Sequence, residues 1–239
     1  MNTKSNLCEY DEYEKGAKYP LIGDKAPEFS ASTTTGPINF PGDFAGKWIV
    51  FFSHPSDFTP VCTSEFVGFQ QEIEDFEKLN VQLLGLSIGA LSSHLAWLDT
   101  ISKMKDGIDI TFPLIDDLNG KISEIYGMLH PQASDTHAVR AVFIIDTHGT
   151  VRAILYYPAA LGRNLAEIKR MIIGLQTADA FKVALPVNWT PGEDVLSPAP
   201  TTVNEVRKKS GDTPWFLTYK KLEKDVILGK IGKQKFDKK

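Results

Sequence analysis

"KWIVFFSHPSDFTPVCTSEFVGFQQEIEDFEKL" (47–79) carries two periodicities in succession. Residues 47–53 are a continuous run of aromatic and β-branched residues, with the length and composition of a strand buried on both faces. After Cys62 the apolar positions are Phe66, Phe69, Ile73, Phe76 and Leu79, spaced by three or four as on one face of a helix. Between the two runs lies a polar loop ending in Pro60, whose fixed φ and missing N–H suit a helix start. A buried strand turning straight into an amphipathic helix is one unit of a layered α/β domain.

The alternation continues on the C-terminal side. "VQLLGLSI" (81–88) predicts a second buried strand. "LSSHLAWLDTISKM" (91–104) predicts a helix with Leu91, Leu95, Leu98 and Ile101 on one face. "FPLIDD" (112–117) reads as a short strand and "GKISEIYGML" (120–129) as a short helix. "AVFIID" (141–146) and "TVRAILYY" (150–157), joined by the turn "THG", form a hairpin. Residues 164–178 form a helix with Asn164 as its cap. Strands alternating with helices imply a mixed, mostly parallel sheet covered on both faces, to which the hairpin adds an antiparallel pair. The fold class is α/β, with the layout of a thioredoxin-like fold.

The chain divides by composition into an acidic leader (1–18), a main domain (19–184) and a C-terminal arm (185–239). "LPVNWTPGEDVLSPAPTTV" (185–203) has four prolines and no periodicity, and "PWFLTYKKL" (214–222) reads as one more strand. The arm has too little apolar content for a core of its own. It should lie on the main domain or on a second subunit.

The 239 residues are 42% apolar, enough for a sizeable core, and the net charge of −4 gives no sign of nucleic acid. Charge is uneven at the ends: "EYDEYE" (9–14) is acidic, and residues 220–239 carry eight Lys against three acids. Both read as solvated termini. No apolar run is long enough to span a membrane, and the N-terminus lacks the apolar core of a secretory signal. Two cysteines make no disulfide framework, so a reduced, cytoplasmic protein is expected. Five His show no metal-binding pattern, so neither a metal site nor a cofactor is expected.

Cys62 falls in or near the first turn of the predicted helix, where free N–H groups and the helix dipole favour negative charge. The alternative is a buried cysteine acting as a small hydrophobe. A low pKa alone achieves little. Moving a thiol from about 8.5 to about 6 raises its thiolate fraction at neutral pH roughly 30-fold. With a Brønsted slope of about 0.4–0.5, nucleophilicity falls roughly 10-fold, leaving about threefold net. A fast cysteine enzyme therefore needs a hydroxyl and a fixed positive charge beside the thiol. Thr59 offers the hydroxyl, and an arginine on a neighbouring strand must offer the charge.

"HPSDFTPVCTSEF" (54–66) resembles the active-site segment of the peroxiredoxins, whose core here is Pro55, Thr59 and Cys62. "PLIGDKAPEF" (20–29), "RAVFIID" (140–146), "YYPAALGRNLAEI" (156–168) and the arm from "PVNW" (186–189) resemble the one-cysteine subgroup. The resemblance spans roughly residues 19–220 and makes 19–184 a peroxidase domain. It implies that Cys62 attacks the peroxide, that Thr59 hydrogen-bonds it, and that Arg140 stabilises thiolate and transition state. Pro55 would shield the thiolate and Glu65 would orient the arginine. Arg163 resembles a second arginine near the pocket, and His54 a pocket histidine. The substrates implied are hydrogen peroxide and alkyl hydroperoxides. An external thiol, thioredoxin-like or small, is the implied reductant. The arm would embrace a partner in a homodimer, built further into a ring such as a decamer.

No cysteine follows Cys62, so its sulfenate lacks an internal partner unless Cys8 reaches it from the leader. "GLSIG" (85–89) matches the hydrolase elbow G-x-S-x-G, but the chain lacks the larger domain that such an enzyme needs. A holdase chaperone or redox-signalling role is the alternative on the same fold, and Cys62→Ser separates it from a peroxidase. A thiol–disulfide exchanger is disfavoured by the lack of a CxxC pair.

Overall fold

A computed structural model of the chain describes residues 19–134, 136–208 and 214–232. The acidic leader, including Cys8, lies outside the described residues.

A five-stranded sheet organises the molecule. Its strands are β3 (Trp48–Ser53), β4 (Val81–Ser87), β5 (Leu114–Asp116), β6 (Arg140–Ile145) and β7 (Val151–Tyr157), in the order β5-β4-β3-β6-β7. A small hairpin of β1 (Phe29–Ala31) and β2 (Ile38–Phe40) precedes it. β3 pairs in parallel with β4, and β4 with β5. β6 runs antiparallel to both β3 and β7. The parallel share is thus two pairings of four, because the hairpin docks its first strand against β3 itself.

The burial pattern explains why β3 reads as one apolar run. Trp48, Val50 and Phe52 point into one core, and Ile49 and Phe51 into the other. β6 alternates likewise, with Val142 and Ile144 on the first face and Ala141, Phe143 and Ile145 on the second. The first face is covered by α1 (Pro60–Gln71), α2 (Ile73–Lys78), α3 (Leu91–Ser102) and α5 (Leu165–Phe181). The second is covered by the β1–β2 hairpin and α4 (Lys121–Ile125), which brings Ile122 and the buried ring of Tyr126.

Several sequence expectations need correction. The helix expected to run on through Leu79 breaks at Glu72, which leaves α-helical geometry (φ −103°, ψ 10°) between α1 and α2. α4 stops at Ile125, where Tyr126 and then Gly127 (φ +63°) turn the chain. α3 buries His94, Trp97 and Ile101, whereas Leu95 is 48% exposed. Of the expected face, Ile101 is buried and Leu98 packs on the core, but the buried stripe runs through His94 and Trp97 instead of Leu95. Asn164 caps α5 as expected, accepting from the Glu167 N–H at 3.1 Å.

Beyond residue 185 the chain adds β8 (Val195–Leu196), α6 (Val203–Lys208), β9 (Tyr219–Lys220) and α7 (Lys224–Lys230). The strand expected over 214–222 is only the two residues of β9, paired with β8. Trp189, Val195, Leu222, Ile227 and Ile231 are buried in the core of their own chain. Trp215, Phe216 and Leu217 remain 41%, 63% and 39% exposed.

Candidate active site

The antiparallel docking of β6 decides where the chemistry collects. The register pairs Phe52 with Val142, so Arg140 lies two residues further on, level with position 54 at the C-terminal end of β3. A parallel β6 would have placed Arg140 at the opposite edge of the sheet. Ser53 closes this corner. Its hydroxyl donates to the Val139 carbonyl at 2.6 Å and accepts from the Ala141 N–H at 3.0 Å.

From β3 the chain passes through residues 54–59 into α1. Thr59 is the N-cap in extended conformation and Pro60 the first helical residue. Cys62 is therefore in the first turn. The first helical hydrogen bond runs from the Thr63 N–H to the Thr59 carbonyl at 2.9 Å, so the N–H groups of Val61 and Cys62 precede the helical ladder. Phe58, just before the cap, has φ +55°. For a non-glycine residue this left-handed conformation costs about 1–2 kcal/mol.

Cys62 is fully buried. Arg140 Nη1 donates to its sulfur at 3.3 Å and to Glu65 Oε2 at 2.7 Å. Nε and Nη2 of Arg140 both donate to the Ala159 carbonyl, at 3.0 and 2.8 Å, so the guanidinium is held in its plane. Glu65, one helical turn after Cys62, is the hub. Arg163 donates to it from its backbone N–H and Nε (both 2.9 Å) and from Nη2 (2.6 Å). Arg163 Nη1 caps the Ser53 and Ala141 carbonyls, and its guanidinium lies 4.8 Å from the Phe52 ring centre. Burial pulls the Arg163 pKa down, while the Glu65 charge and hydrogen bond oppose that pull. Two guanidiniums against one carboxylate leave net positive charge beside the sulfur.

A second buried cluster sits on the loop. Asp57 Oδ1 is 3.0 Å from His54 Nε2, and Oδ2 is 2.7 Å from both His94 Nδ1 and Ser93 Oγ. Both imidazoles are fully buried, and the Asp57 side chain is 6% exposed. Burial pushes the Asp57 carboxyl up, but the hydrogen bonds from His54, His94 and Ser93 outweigh it and hold it well below the usual range. For His54, burial outweighs the bond to Asp57 and lowers the pKa. The His54 ring packs on Phe66 and Trp97 at 4.8 and 5.1 Å between centres.

The structure thus gathers Cys62, Arg140, Glu65 and Arg163 into one bonded cluster. It places Thr59 at the helix cap, where its hydroxyl donates to the Ser56 carbonyl at 2.9 Å. Pro55 borders a cavity of about 540 Å³ together with Ser134, His137 and Pro158. His54 engages Asp57. Sequence reading missed Asp57, Ser93 and His94; the visible signal was the spacing of His94 with Trp97 and Ile101 on one helical face. Ser87 of the elbow-like motif is buried at the end of β4. Among the described residues no cluster of His, Cys, Asp or Glu could hold a metal, and no helix is long and apolar enough to cross a membrane.

The fold thus brings together a buried thiol in the first turn of a helix and a fixed guanidinium at one end of a thioredoxin-like sheet. The family model described as AhpC/TSA matches residues 22–154, and that of the C-terminal domain of 1-Cys peroxiredoxin matches residues 174–213. A peroxiredoxin of Methanosarcina mazei is 49% identical, covering 84% of this chain and 98% of its own length. One from Aquifex aeolicus is 46% identical, covering 85% and 97%. Among solved structures, a yeast mitochondrial 1-Cys peroxiredoxin matches with a TM-score of 0.76 at 36% identity, covering 84% of this chain and 99% of that one. A cysteine-to-serine mutant of peroxiredoxin 6 from Arenicola marina matches at 0.72 and 33%, covering 79% and 88%. The chain belongs to the AhpC/TSA family and is a peroxiredoxin, a thiol-dependent peroxidase.

Proposed function

We propose that Cys62 is the peroxidatic residue, acting on hydrogen peroxide and small alkyl hydroperoxides. The observation that carries this reading is the Arg140 guanidinium, bonded at once to the Cys62 sulfur and to Glu65. The sulfur attacks the terminal peroxide oxygen, the O–O bond breaks, and water or an alcohol leaves after protonation. Cys62 is left as a sulfenic acid. Arg140 stabilises charge on sulfur and on the peroxide oxygens. Thr59 turns its hydroxyl from the Ser56 carbonyl to the bound peroxide, and Pro55 limits water at the thiol. Glu65 and Arg163 hold Arg140 in place.

Reduction then takes two external thiols. The first displaces water from the sulfenic acid to give a mixed disulfide, and the second releases the Cys62 thiol and an external disulfide. With no cysteine after Cys62 in the sequence, the sulfenate overoxidises to sulfinate when reductant is scarce. The exposed Trp215, Phe216 and Leu217 support an arm that covers a second copy of the chain in a homodimer. A stable monomer in sedimentation at micromolar concentration would refute that assembly.

Steady-state turnover with a small dithiol tests the cycle. Cys62→Ser should abolish peroxide consumption, and Cys8→Ser should leave it nearly unchanged. A Cys8→Ser variant that reacts once and stalls, while the parent cycles, would make Cys8 the resolving thiol.

A further inference from the structure

The outer part of the loop that presents Thr59 borders two cavities. Pro55 and Ser56 border one cavity, and Phe58, Thr59 and Pro60 border another of about 600 Å³ with Trp97 and Met104. Phe58 is 57% exposed and sits in the left-handed region. A strained backbone persists only where its surroundings hold it. Between the two cavities Asp57 alone turns inward, and it accepts from three side chains. Two of them, Ser93 and His94, lie in the first turn of α3, more than 30 residues along the chain. The third, His54, is anchored to the sheet by its own N–H on the Leu86 carbonyl at 2.9 Å.

The donor pattern fixes the tautomers. A carboxylate only accepts, so His54 carries its proton on Nε2 and His94 on Nδ1. The other nitrogens, His54 Nδ1 and His94 Nε2, are buried with no hydrogen-bond partner among the described residues. The imidazoles thus hold nothing else on the hydrogen-bonding side: their polar function is spent on Asp57. Two fully buried histidines that serve one loop carboxylate are costly to keep unless the loop's position matters.

We propose that Asp57 is a positioning residue for the peroxide reaction, latching the 54–59 loop onto α3 through His94 and Ser93 and onto its own sheet-anchored start through His54, so that the Thr59 hydroxyl stands where the peroxide binds. This rests on the peroxidatic reading of Cys62. The latch acts on the donor geometry around the peroxide, and the thiol stays on the separate Arg140–Glu65 cluster. Its loss should slow attack on peroxide far more than it slows reaction of the same sulfur with a reagent that needs no Thr59.

Stopped-flow rates with hydrogen peroxide and with iodoacetamide, taken on the full chain in a Cys8→Ser background and well below the melting temperature, separate the two. Asp57→Ala should lower the peroxide rate at least about 10-fold, as a misplaced reaction geometry does, and move the iodoacetamide rate by less than about twofold. His94→Leu should do the same. His94→Asn keeps an amide N–H where Nδ1 stood and should recover most of the loss. If Asp57→Ala does not fold, the His94→Leu and His94→Asn pair decides by the same ratio. Peroxide and iodoacetamide rates that fall in parallel, an unchanged peroxide rate, or no difference between His94→Asn and His94→Leu would overturn the latch. A parent thiol no faster with peroxide than free cysteine would remove the peroxidatic reading and the latch with it. A fast parent with an unselective Asp57→Ala removes the latch alone.

Discussion

Two buried ionic clusters flank the segment from His54 to Glu65, and they are built on opposite principles. One joins Glu65 to Arg140 and Arg163 and reaches the Cys62 sulfur. Its cations are two planar guanidiniums that converge on one carboxylate. The other joins Asp57 to His54 and His94 and reaches the loop. Its donors are two buried imidazoles and a hydroxyl, and burial lowers the pKa of His54. The first is placed to supply field to a reaction. The second is placed to hold backbone. Charge beside a thiol is suited to arginine, whereas a loop anchor needs only donors that fit one carboxylate.

The largest effect should come from removing the charge beside the thiol. Arg140→Ala should slow the peroxide reaction of Cys62 by about 10²-fold or more, the usual loss for one preorganised donor to a developing oxyanion. Thr59→Val should do the same. Stopped-flow rates within threefold of the parent would take either residue out of the mechanism and leave the two clusters functionally alike.

Next comes stability. Glu65→Gln strands two buried guanidiniums and should cost about 3–5 kcal/mol, since breaking a buried ion pair leaves charge uncompensated. Urea titration measures it. A cost below about 1 kcal/mol would mean that solvent reaches this cluster and that its burial is less complete than its geometry indicates.

The smallest effect is a pH dependence that should belong to the imidazole cluster. His54 has a pKa lowered by burial, so below about pH 6.5 the unfolded chain binds a proton that the folded chain resists. Stability should therefore fall as pH drops through that value. Asp57, held below the usual carboxylate range by its three donors, contributes stability that is present above about pH 4 and lost further into acid. Urea midpoints against pH should flatten between about pH 6.5 and 5 in His54→Gln. An unaltered slope would assign the acid sensitivity elsewhere.

Much of the first cluster was legible in the sequence. The buried strand 47–53, the Pro60 helix start and the first-turn Cys62 follow from local rules, and the motif brought Thr59 and Arg140 with it. That Arg140 reaches the sulfur depends on β6 docking antiparallel on β3, a long-range pairing that composition and period do not encode. The second cluster was illegible for a related reason. His94 looked like a polar residue on a leucine-faced helix, and only packing shows that Leu95 faces out and His94 in. For the arm, the sequence left open whether it lies on the main domain or on a second subunit. Its prolines hid that Trp189 is buried against the main core, because aromatic residues far apart in sequence need no periodicity to meet.

Intact mass after a single equivalent of peroxide, on reduced Cys8→Ser protein, tests the role of Cys62 most directly. The chain should gain one oxygen atom, located at Cys62 by peptide mapping and lost again on adding a small dithiol. Oxygen found only at other residues, or a Cys62 that stays unmodified while peroxide disappears, would contradict it.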